Sequence, residues 1–96
     1  MHGAGVDCID VEAAERLGIQ VTNAADANSG SVAEFTLGLI LSLAKKLPQS
    51  RDGLRKEGWS IRPQISTFDL EGKTLGVLGM GRIGTAVARK ASYGFG

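Results

Sequence analysis

The stretch Thr74-Leu75-Gly76-Val77-Leu78-Gly79-Met80-Gly81-Arg82-Ile83-Gly84 is a short apolar run that opens into the spacing G-x-G-x-x-G. Leu75 to Leu78 lies between Lys73-Thr74 and Gly79, the pattern of a strand buried on both faces. Gly79 is placed to take the tight turn out of the strand, where a Cβ would clash. Gly81 is placed to admit a pyrophosphate to the backbone, and Gly84 to let the following helix pack close. That helix is read over Ile83 to Ala91. Ile83, Val87 and Ala91 form one apolar stripe, and the first N–H groups point at phosphate. Spaced glycines alone say little in a chain with 14 of them; strand, turn and helix in the required order say more. A kinase glycine loop would run on into a second strand, and this sequence turns helical instead. A purely structural βα turn without a ligand fits the same residues. An acidic residue for an adenosine ribose is due roughly 20 residues further on, beyond Gly96.

Composition limits the alternatives. The 96 residues are 43% hydrophobic and 22% charged, values of a globular domain. Acidic residues outnumber basic ones in the first half and the reverse holds in the second, leaving +1 overall. No basic block points to nucleic acid. The longest apolar stretch, Leu37 to Leu43, is interrupted by Gly38 and Ser42 and is too short to span a membrane. With no signal peptide in view, the expected location is cytoplasmic. Cys8, the single cysteine, excludes an internal disulfide and a cysteine-based zinc site, and reads as a small buried filler. No metal site is expected.

Upstream of the glycines, Gly3-Ala4-Gly5-Val6-Asp7 reads as a tight turn, Val11 to Leu17 as a short acidic helix stopped by Gly18, and Ile19 to Val21 as a strand. Asn23 to Gly30 reads as a loop. Ser31-Val32-Ala33-Glu34 has the form of a capping box. From Val32 to Leu47, apolar residues step by three and four, the period of an amphipathic helix of about four turns. Pro48 opens a second helix over Gln49 to Glu57, and Trp59 to Phe68 reads as an irregular arm.

Five ordered segments carry a family resemblance: Gly3 to Asp10, Gly18 to Asn23, Ser31 to Glu34, Gly58-Trp59, and Leu70 to Gly84. Their order and spacing resemble the D-isomer-specific 2-hydroxyacid dehydrogenases, among them phosphoglycerate, glyoxylate, hydroxypyruvate, D-lactate and formate dehydrogenases. The resemblance covers essentially the whole chain, and family members are more than three times as long, so an internal fragment is expected. It implies an α/β, Rossmann-type fold in part. Residues 1–27 would end a flavodoxin-like substrate domain, 28–47 would form the interdomain helix, 48–72 a helix and arm used in dimerisation, and 73–96 the opening of the NAD(P)-binding domain.

The resemblance also implies roles. Ala4 and Gly5 match backbone N–H groups that hold a substrate carboxylate, chemistry natural to a glycine turn. Asn28 matches a residue near substrate and nicotinamide, and Ser29 a cofactor contact; both positions also suit a helix cap. Arg82 and Ile83 match the pair along the cofactor pyrophosphate, beside Gly79, Gly81 and Gly84. NAD is favoured over NADP, and the substrate is a small 2-hydroxy or 2-keto acid. Trp59 and Phe68 are read as fillers of an interface or core. Phe35 stands where a histidine is common, and Cys8 where an asparagine or histidine is. The family's catalytic Arg, Glu and His match nothing in these residues, and the lone His2 is no substitute. The chain by itself is therefore expected to be inactive. Two other readings remain open, a non-catalytic nucleotide-binding module and a dimerisation or assembly element.

Overall fold

A computed structural model describes residues 2–96. They form α1 (Val11–Arg16), α2 (Ser29–Ala44), α3 (Leu47–Glu57), a 3-10 helix (Gly58–Gln64) and α4 (Arg82–Phe95), with no β-strand among the described residues. Helix α1 starts where the Asp10 carboxylate accepts from the Ala13 N–H at 2.8 Å, and Gly18, at φ +71°, turns the chain out of it.

Helix α2 departs from its expected start. It begins at Ser29, the Val32 N–H closing on the Asn28 carbonyl at 2.9 Å. Ser31 thus lies inside the first turn and the capping box does not form. The Glu34 carboxylate accepts instead from Lys90 Nζ on α4 at 3.3 Å. The helix stops at Ala44, and Lys46 adopts a left-handed φ of 49°. Leu47, expected at the end of that helix, opens α3, with Pro48 in a first turn that has no need of its missing N–H. The arm expected to be irregular winds into the 3-10 helix and leaves it with Ile65 extended, without regular structure to Phe68.

The two expected strands are not formed. Ile19 to Val21 and Leu75 to Leu78 have no ladder among the described residues. A strand is defined by its neighbour, and neither run has one; Leu75 is 45% exposed and Leu78 wholly so. The α/β expectation is therefore realised here in its helices and its turn, not in a sheet.

Packing is concentrated where α2 crosses α4. Among the described residues Ala33, Ala44 and Val87 are the buried hydrophobic ones, two on α2 and one on α4. The Phe68 N–H donates to the Ala44 carbonyl at 3.2 Å, and Lys45 pairs with Asp69, pinning the arm to the end of α2. The opposite face of α2 carries Phe35, Leu39 and Leu43 in the open. Cys8 is exposed as well, contrary to its reading as a filler, since nothing covers the turn around it. The Cα radius of gyration is 20.2 Å, against about 12–13 Å for a compact chain of this length. No described helix is long and apolar enough to cross a membrane.

Candidate functional site

The glycine turn is built by two different constraints. Gly79 sits at φ +93°, which an L side chain resists, although a Cβ there would meet nothing within 4 Å. Its need for glycine is torsional, not the clash expected from sequence. At Gly84 the constraint is crowding, because a Cβ would stand 2.0 Å from the Gly79 carbonyl oxygen and 3.4 Å from Val77 Cγ1. This is the close approach of helix and strand segment that the spacing predicts. Gly81 has open space where its side chain would be. The Thr85 N–H donates to the Gly81 carbonyl at 2.9 Å, and Thr85 Oγ1 to the Met80 carbonyl at 3.2 Å, so the turn is stitched to the helix it opens.

Gly81 is the N-cap of α4 and supplies no side-chain cap. Among the described residues the N–H groups of Arg82, Ile83 and Gly84 have no acceptor within the chain. Such a first turn is a ready cradle for an anion.

A cleft of about 710 Å³ gathers the site residues expected from sequence. Gly79, Gly81, Arg82, Ile83 and Gly84 line one side; Ala4, Asn28 and Ser29 reach it from the chain's first third. Gly5 does not line it. Its turn is nonetheless tethered alongside, Asn23 Nδ2 donating to the Ala4 carbonyl at 2.8 Å and the Ala24 N–H to the Gly3 carbonyl at 3.0 Å. Among the described residues the N–H groups of Ala4 and Gly5 have no acceptor. Asn28 occupies the N-cap position of α2 but makes no side-chain cap bond, which leaves its amide free for other partners.

Arg82 is the one ionisable side chain among the cleft-lining residues. Its Nη1 donates to Asp26 Oδ1 at 2.6 Å. Asp26 escaped the sequence reading, and so did Ala25, Thr36 and Ile40 as parts of the cleft wall. No local signal marks them: Asp26 and Arg82 are 56 positions apart. Trp59 and Phe68 stand elsewhere. The Arg62 guanidinium lies 5.6 Å from the centre of the Trp59 ring, and both aromatic residues are exposed, not core fillers.

The model of the D-isomer specific 2-hydroxyacid dehydrogenase NAD binding domain matches residues 37–96. The chain belongs to this family. The D-3-phosphoglycerate dehydrogenase of Methanocaldococcus jannaschii is 52% identical over 89 residues, which are 93% of this chain and 17% of that relative. The crystal structure of a D-lactate dehydrogenase from Aquifex aeolicus with NAD and lactic acid shares 37% identity at a TM-score of 0.80 over 96% of this chain and 28% of its own. An NADPH-dependent glyoxylate/hydroxypyruvate reductase from Sinorhizobium meliloti, in complex with NADP and malonate, shares 38% identity at a TM-score of 0.72 over 96% of this chain and 30% of its own. The chain thus spans 17% of the length of that curated relative and under a third of these solved chains. The NAD-binding domain of these dehydrogenases is of Rossmann type, and the glycine turn with α4 lies inside the matched residues.

Proposed function

We propose that this chain forms the phosphate cradle and part of the substrate cleft of an NAD(P)-dependent D-2-hydroxyacid dehydrogenase. The observation that carries this reading is the convergence of residues 4, 28–29, 79 and 81–84 on one cleft. The residues present suit a dinucleotide diphosphate: open space at Gly81, unpartnered N–H groups at the start of α4, and a guanidinium beside them. Gly79, Gly81, Arg82, Ile83 and Gly84 would hold the pyrophosphate, with Ser29 a further contact. A bound nicotinamide would supply the redox chemistry, donating a hydride to a 2-keto carbon when reduced and accepting one from a 2-hydroxy carbon when oxidised. The N–H groups of Ala4 and Gly5 would take the substrate carboxylate, and Asn28 would lie between substrate and cofactor.

In this scheme residues 1–27 belong to the flavodoxin-like substrate domain, 28–47 to the interdomain helix, 48–72 to a dimer contact and 73–96 to the cofactor domain, in a cytoplasmic homodimer. The cofactor is a nicotinamide dinucleotide, NAD in preference to NADP. On this reading the chain alone is inactive, which is supported by a cleft lining without an acid–base group for the proton that accompanies hydride transfer.

Calorimetric titration with NADH, joined to an assay of glyoxylate and hydroxypyruvate reduction, tests this. Saturable binding without turnover is expected, and Gly81→Val should abolish binding by filling the open approach. Turnover by the 96-residue chain would refute its inactivity. Absence of binding by a folded chain would refute the cradle. The exposed apolar face of α2 favours one second reading, an assembly element, which self-association without NADH binding would support.

A further inference from the structure

The ion pair between Arg82 and Asp26 is hard to explain as a support of the fold. Its two side chains are 56% and 78% exposed, and exposed pairs contribute little to stability. Its position says more. Arg82 lines the cleft where the unpartnered N–H groups of α4 open, and Asp26 follows Ala25 and precedes Asn28, both cleft residues. The single charged side chain lining the cleft is thus already matched by a carboxylate from the segment that carries Ala25 and Asn28.

We propose that Asp26 is an internal counter-ion which competes with the incoming diphosphate for Arg82 and thereby sets how tightly this cleft holds its ligand. This rests on the cradle assignment made above. A diphosphate that enters the cleft has two ways to engage Arg82. Either the guanidinium leaves Asp26, giving up a charge-assisted hydrogen bond, or it bridges both, leaving a carboxylate close to phosphate oxygens of like charge. Each route subtracts from affinity. Asp26 supplies no contact to the ligand in return. Its function is to hold the arginine in place before binding and to weaken retention afterwards, which favours cofactor exchange.

The test is a double-mutant cycle of the full chain, wild type, Asp26→Asn, Arg82→Gln and the double variant, titrated with NADH and separately with inorganic pyrophosphate. Asp26→Asn should tighten both ligands by about two- to fivefold, the range an exposed ion pair represents. The same substitution in the Arg82→Gln background should change neither. Asp26→Ser serves as a second variant, and unchanged helical circular dichroism establishes that each protein is folded. No tightening in Asp26→Asn, or equal tightening in both Arg82 backgrounds, would overturn the proposal; the latter would make Asp26 a diffuse negative charge. Arg82-dependent tightening of pyrophosphate with no binding of NADH would uphold the counter-ion and overturn the dinucleotide reading alone.

Discussion

At Gly84 there is no room for a methyl group, and the atom in the way belongs to the backbone of Gly79. Gly84→Ala must therefore displace the turn, and we expect a loss of about 1–3 kcal/mol in denaturant unfolding together with loss of diphosphate binding. Gly79→Ala acts through torsion alone, at about 1–2 kcal/mol. Lys46 presents the reverse case, a side chain holding a left-handed backbone between two helices. Lys46→Gly should raise the unfolding midpoint, by up to about 1 kcal/mol after the entropy of the added glycine is deducted; a β-branched residue there should lower it. Asp69 offers a pH signature. A hydrogen bond from Lys45, then the charges of Lys45 and Lys73, hold its carboxyl below the usual range. A folded value below the unfolded one means stabilisation present above about pH 4 and lost as pH falls through the folded value. Acid titration of the unfolding midpoint should therefore show a drop that shrinks in Asp69→Asn. The close approach at Gly84 was legible in sequence because it acts within a few residues, whereas Gly79 needs glycine for its torsion and not for the clash that the sequence suggested. The Arg82–Asp26 pair was not legible, since nothing in either neighbourhood encodes a partner 56 positions away.

Among the elements, α2 and α4 carry the packing, and α2 contributes two buried alanines. Ala33→Leu places a large side chain at a fully buried position and should cost about 1–3 kcal/mol in a guanidinium titration. Phe35→Ser, on the open face of the same helix, should fall within about 0.5 kcal/mol. A similar loss at both positions would mean that α2 is not anchored by this contact. Helices proved readable because the 3.6-residue period is local. Their ends were less so: the start of α2 moved from the capping box to Ser29, where the backbone ladder already closes from the Val32 N–H onto the Asn28 carbonyl. Strands failed for a different reason. The run Leu75 to Leu78 has the composition of a buried strand, but pairing is a property of two segments, and no second one lies beside it.

For the whole molecule the surface is the dominant fact. It measures 7552 Å², where a compact monomer of this mass exposes about 5,200 Å². Phe35, Leu39, Leu43 and Trp59 all contribute to the excess. Sedimentation at rising concentration should show increasing mass, and replacing Leu39 and Leu43 by glutamine should reduce that association without loss of helix. A monomer at every concentration would count against both the dimer contact proposed for residues 48–72 and the assembly role proposed for α2.

The Gly3–Ala24 hydrogen bond gives the turn around Ala4 its own spectroscopic gauge. The Ala24 amide is tied at 3.0 Å to a turn twenty-one positions before it, outside any helix. Its rate of hydrogen–deuterium exchange therefore reports the opening of that turn, together with any wider unfolding that breaks the same bond. A 2-keto acid that docks against Ala4 and Gly5 must slow this one amide while leaving those of α3 unchanged, so occupancy of the carboxylate turn can be followed without catalysis.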